Sequence, residues 1–200
     1  MAASLGPPCD SASVARRYRD TTTGQRAWAY PIRNPKAPRA LVAVSPPGSF
    51  AFGYLLLTTC SGTTRDSLRT GGVISTTFRR LTPRHRPEAI VRAVSAGGTG
   101  VRVATAYLIA VVGDSLHLLW ARPYLEAGEL SGNDSAAILI LHPGALLYRS
   151  ATHVIVNPRL HTYPSPALPY CFAEHWRWQS PGDTFAMVSR DTGHAVCPHR

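Results

Sequence analysis

VRVATAYLIAVV at Val101–Val112, followed by Gly113-Asp114 and SLHLLWA at Ser115–Ala121, is the stretch on which the fold turns. Both runs are rich in residues that suit an extended, pleated backbone, and only two residues separate them, the first a glycine free to take positive φ. The pattern predicts a β-hairpin. Outward from it, short apolar segments alternate with Gly and Pro punctuation at Leu41–Val44, Gly53–Thr59, Gly72–Phe78, Ala136–Leu141 and His153–Val156, and each reads as a strand. One helix is expected from Pro87, at a first-turn position, to Gly97 at the C-cap, with Ile90, Val91 and Val94 on one face. Beyond Leu160 come Pro164, Pro166 and Pro169 and then Tyr170, Phe172, Trp176 and Trp178, read as a loop packing its rings onto the sheet. The expected fold class is mainly β, α+β at the margin, in a single β-rich domain with one short helix.

Two hundred residues, 44% hydrophobic and 16% charged, make enough chain for one domain with a sizeable core. The longest apolar run, Ala104 to Val112 with Thr105 inside it, is about half of the roughly 20 residues of a membrane helix, and no charged-then-apolar signal is read at the N-terminus. No membrane partner is therefore expected. Cysteines at 9, 60, 171 and 197 are scattered, so reduced thiols inside a cell are the expectation.

Charge divides unevenly. Residues 1–100 hold 14 Lys and Arg against 4 Asp and Glu, whereas residues 101–200 hold 7 against 7, so the whole surplus of +10 lies in the first half. Twenty of the basic residues are Arg and one is Lys36, a bias that GC-rich coding produces as readily as selection for forked hydrogen bonding. Residues 1–35, with Arg16, Arg17, Arg19, Arg26 and Arg33 and only Ala27–Ile32 able to form a strand, read as a flexible basic arm before a domain at 36–200. With Tyr18 and Trp28, and with Arg79, Arg80, Arg84, His85 and Arg86, the arm has residue types for phosphate contact and base stacking, which makes nucleic acid a possible partner.

Two further constellations carry chemistry. Gly113-Asp114-Ser115-Leu116 resembles the nucleophile block of the GDSL hydrolases, Gly132-Asn133-Asp134 their oxyanion block and Asp191 with His194 their acid–base block. In that alternative Ser115 attacks an ester, His194 is the base, Asp191 orients it, and Asn133 with the backbone N–H of Gly128 or Ser115 donates to the oxyanion. Only 18 residues separate Ser115 from Asn133, too few for a crossover with its strands, and hairpin chemistry explains Gly113-Asp114 without catalysis. Cys171, His175, His194 and Cys197, with His199 close by, could hold zinc, but their spacing matches no common finger, ribbon or knuckle, so no cofactor or metal is expected.

Pro38-Arg39, Leu41–Val44, Pro46-Pro47-Gly48, Leu55–Leu57 and Cys60 resemble one stretch of a family of small accessory nuclear proteins of the alphaherpesviruses, the one encoded beside the helicase subunit of the helicase–primase. Val101-Arg102, Ala104-Thr105-Ala106, Val111-Val112, Asp114 and the aliphatic strand to Tyr124 resemble its second stretch, in the same order and after a similar spacer. The resemblance covers residues 36–126. It implies a non-enzymatic viral accessory protein in nuclear bodies of the infected host nucleus that associates with other viral nuclear proteins. That family has no catalytic residues to carry over, and it lacks the serine block at positions 113–115. An inactive descendant of the viral dUTPase fold is the other ancestry left open.

Overall fold

Arg39–Ser45 is buried at all seven positions, although neighbouring side chains on a strand point to opposite faces. A strand of this kind needs cover on both sides, and the architecture supplies it as a stack of layers. The computed structural model describes residues 8–32, 38–47, 52–84, 88–96, 102–127, 134–152, 170–180 and 182–193. They form one helix, α1 (Ser11–Arg16), and twelve strands: β1 (Arg26–Ile32), β2 (Arg39–Ser45), β3 (Gly53–Thr59), β4 (Thr64–Thr70), β5 (Gly72–Arg79), β6 (Glu88–Ala96), β7 (Arg102–Val112), β8 (Ser115–Ala127), β9 (Asp134–His142), β10 (Ala145–Thr152), β11 (Tyr170–Gln179) and β12 (Thr184–Thr192). The domain is mainly β. Strands β1 to β4 make one sheet and β5 to β12 a second, each with neighbours in sequence order, and every pairing between them is antiparallel.

The large sheet doubles back on itself. Among the described residues, strands β8 and β9 pair only at Leu125↔Ser135 and Glu126↔Asp134, and a bulge in β8 leaves Leu119 as an extra residue opposite Leu108 and Ile109. Such a bulge bends the strand. Ala106, Leu108, Ala110, Leu119 and Trp120 consequently face Leu146, Tyr148 and Phe185 of the folded-over half, with Trp176 and Trp178 packed against them. The opposite face of β6 and β7, with Ala89, Val91, Ala93 and Ile109, packs on Leu41, Ala43 and Leu55 of the small sheet. On the outside of that sheet, Ala27, Ala40, Val42 and Val44 are covered by Cys9 and Val14. The order of layers is α1, the small sheet, β5–β8 and β9–β12.

Polar stitches fix the small sheet on the large one. Arg39 donates from Nε and Nη2 to Asp114 in the β7–β8 turn, both at 2.8 Å, and Asp66 of β4 accepts from the Leu116 backbone N–H at 2.7 Å. Ser45 Oγ accepts from the Val73 N–H at 2.8 Å. Where β2 and β3 pass the β4–β5 corner, a Cβ on Gly53 would lie 2.3 Å from the Gly71 carbonyl oxygen, so this crossing requires glycine. Gly113 has φ +63° in the hairpin turn, the conformation its sequence context predicts.

Several expectations are corrected. Residues 8–32 are not an arm: α1 buries Val14 and Ala15, β1 pairs along its whole length with β2, and Cys9 is disulfide-bonded to Cys60 across 51 positions. The isolated apolar residues of this segment land on an already apolar sheet, and the disulfide adds to their hold. Arg33 lies outside the described residues. The stretch read as a helix from Pro87 is strand β6, in which Ile90 joins one core and Val91 the other, an alternation that only an extended chain gives. Residues 170–179 are a strand rather than a loop, and His153–Val156 lies outside the described residues. The expectation of reduced thiols is also overturned, because Cys171 too is disulfide-bonded and no described cysteine is free. A cross-link closing a 51-residue loop contributes about 4 kcal/mol in the chain-entropy picture.

Asp114→Ala leaves the largely buried Arg39 guanidinium without its carboxylate and should lower unfolding stability by about 1–3 kcal/mol, whereas Ser115→Ala should change it by less than about 0.5 kcal/mol. Urea denaturation midpoints of the two variants check this; equal midpoints would show that the turn is not anchored through Asp114.

Candidate basic cleft

Of the residues singled out as an interacting arm, Arg19 and Arg26 come together at the start of β1, whereas Arg16 ends α1 and Arg17 lies against Gly62 of the β3–β4 turn. Asp10 caps α1 by accepting from the Ala12 N–H at 3.1 Å, and the helix ends at Arg16, with Arg17 as its C-cap. Tyr18 then donates to the Gly62 carbonyl at 2.6 Å, and Gln25 Nε2 donates back to the Tyr18 carbonyl at 2.6 Å. The Arg19 Nε–H donates to the Ala27 carbonyl at 3.1 Å on the open edge of β1. An edge strand is a hazard when its backbone is bare, and here Arg19 and Pro31 blunt it.

These contacts frame an open cleft of about 450 Å³ lined by Arg19, Asp20, Thr21, Gly24, Gln25, Arg26, Ala27 and Trp28. Arg16, Arg17, Arg19 and Arg26 are exposed, and 38% of Trp28 is accessible. Among the described residues none of these four arginines has a carboxylate partner. Asp20, also in the lining, makes no ion pair with them; its Oδ1 accepts from the Thr22 hydroxyl at 2.6 Å and the Thr22 and Thr23 amides at 2.9 and 3.4 Å, so it stays in the cleft as one negative charge beside Arg19 and Arg26. The Thr22 hydroxyl, with these other donors, holds the Asp20 carboxyl below its ordinary range. An indole wall, unpaired guanidinium groups and a formed edge suit an anionic chain with some apolar surface.

Of the esterase constellation, the two described members Ser115 and Asp191 are not brought together. Ser115 is an exposed first residue of β8, and Asp114 beside it is occupied by Arg39. Asp191 lies near the far end of β12, where it meets His175 Nε2 at 3.4 Å. The level of the two strands is set by Thr184 Oγ1, which donates to the Leu119 carbonyl, and by Arg122, which stacks over Trp176 opposite Met187. Ser115 and Asp191 thus run off in opposite directions from Leu119 and Thr184, on the order of 30 Å apart at the rise of a strand. Gly128, Asn133 and His194 lie outside the described residues.

The zinc constellation also fails at its first ligand, because a disulfide sulfur has no thiolate to offer, and His194, Cys197 and His199 are outside the described residues. Among the described residues no group of three His, Cys, Asp or Glu is placed to hold a metal ion. Sequence reading missed Glu174, which is 5% exposed and accepts from Arg122 Nε at 3.3 Å and Trp176 Nε1 at 3.1 Å. Its signal was the alternation Phe172, Glu174, Trp176, Trp178, a strand period with one charge set among rings. No family model, curated protein or solved structure matches the chain.

Incubation with a zinc chelator should leave the melting temperature unchanged, while a thiol reductant should lower it by several degrees. The opposite pattern in a thermal-denaturation scan would restore the metal and remove the disulfides from the account.

Proposed function

We propose that the chain is a non-enzymatic binding protein that holds an acidic segment of another protein in the cleft between Arg19, Arg26 and Trp28. The observation that carries this reading is that Arg19 and Arg26, exposed beside the accessible Trp28 indole, have no carboxylate partner among the described residues, on a segment fixed to the sheet rather than swinging free. Carboxylate side chains give forked pairs with Arg, and an apolar residue between them covers Trp28. The resemblance to the alphaherpesvirus accessory family supports a viral partner protein in the infected cell, and the role needs no cofactor. An acidic segment is favoured over single-stranded nucleic acid because the cleft has one exposed ring, not a series on which successive bases would stack.

The test is titration of the full-length protein with a fluorescent peptide of alternating Glu and Leu and with an oligothymidylate of equal charge. The peptide should bind more tightly, and the double charge reversal Arg19→Glu/Arg26→Glu should weaken it at least tenfold. Affinity should also fall as salt rises, since exposed charges are screened beyond about 8 Å at physiological ionic strength. Unchanged affinity in the double variant, or tighter binding of the oligonucleotide, would overturn the reading.

A further inference from the structure

Resting on that cleft, we infer that the Cys9–Cys60 disulfide is a thiol-sensitive clasp that decides whether the cleft exists. The two cysteines differ in access: Cys60 is exposed on the β3–β4 turn, whereas Cys9 is 6% exposed beneath α1. Cys171, on the other side of the molecule, is 1% exposed. A small thiolate therefore meets Cys60 at the surface, whereas Cys171 itself is enclosed.

The chemistry balances with two equivalents of a low-molecular-weight thiol. The first, as thiolate, forms a bond to Cys60 Sγ while the Cys9–Cys60 bond breaks, and Cys9 leaves as a thiolate that takes up a proton. The second attacks the mixed disulfide at the small-molecule sulfur, releasing the Cys60 thiol and an oxidised dimer of the reductant.

What the clasp holds is weak without it. Helix α1 has six residues, below the length at which a helix persists alone, and it is anchored by Val14, Ala15 and the Tyr18–Gly62 hydrogen bond. Residues 9–20 also supply one wall of the cleft, Arg19 and Asp20, and the bond that fixes Arg19 on Ala27. Opening the clasp converts this wall into a mobile basic segment carrying Arg16, Arg17 and Arg19, and uncovers Ala40, Val42 and Val44 on the outer face of the small sheet. One chain thus has two interaction states, an ordered cleft under oxidising conditions and a free basic segment under reducing ones.

The experiment treats the full-length oxidised protein with graded reduced glutathione, reads which cysteines alkylate by mass spectrometry, and times trypsin cleavage after Arg16, Arg17 and Arg19. Expected are alkylation of Cys9 and Cys60 before Cys171, cleavage in residues 16–19 at least tenfold faster once they are alkylated, and near-ultraviolet circular dichroism of the core retained. Cys9→Ser/Cys60→Ser should show the fast cleavage without reductant. Cleavage that is equally slow in both states, or alkylation of Cys171 first, would overturn the inference. Because cleavage is read without ligand, a protein that switches in this assay but binds no acidic peptide contradicts the proposed function and leaves the clasp standing.

Discussion

A strand that is apolar on both faces cannot stop at one layer of cover. β2 and the inner part of β7 are such strands, and burying both faces of each dictates the stack of helix, small sheet and folded large sheet. The requirement explains why the large sheet bends at Leu119 and why the hairpin turn carries an aspartate. Without the bend, Leu108 and Ala110 would face water; without Asp114, the Arg39 head would be enclosed with no counter-charge. Among the described residues, the outer face of β2 is covered by the N-terminal segment. That segment combines few apolar residues with many arginines, so covering the sheet with Val14 and Cys9 leaves Arg16, Arg17 and Arg19 on the rim.

The candidate site follows from this division within one segment. Packing orders the backbone of residues 8–28, and ordering is what turns a basic composition into a cleft with fixed guanidinium positions. A free arm of the same composition would lose much of its contact energy to conformational entropy on binding. The Cys9–Cys60 bond ties the start of the same segment to the β3–β4 turn, with Cys60 exposed.

Much of the fold was legible where turn chemistry and apolar runs agreed, as at Gly113-Asp114 between β7 and β8, and at β2, β3 and β5. Less was legible where tertiary context supplied the decision. TRDSLRT of β4 has no apolar run and is a strand because Leu68 faces the core while Arg65, Asp66 and Arg69 occupy an edge. EAIVRAVSA of β6 has apolar residues at spacings that suit a helix as well as a strand buried on both faces, and pairing with β7 chose the strand. The Tyr170–Gln179 rings were noticed as a cluster, but their period of two was overlooked. In the candidate site the basic residues and Trp28 were legible by type. Their arrangement was not, because it depends on the pairing of Cys9 with Cys60, and cysteine spacing alone does not specify connectivity.

Native-state hydrogen exchange tests the layered account most directly, since an amide in a strand covered on both sides is freed only by global unfolding. In the oxidised protein the amides of Leu41–Val44 and of Ala104–Ala110 should exchange together and slowest, at the rate set by the global unfolding free energy, with those of β4 and β12 faster. If Leu41–Val44 exchanged as fast as the edge strand β4, the N-terminal segment would not be covering the outer face of β2, and the layered order with the cleft built on it would be wrong.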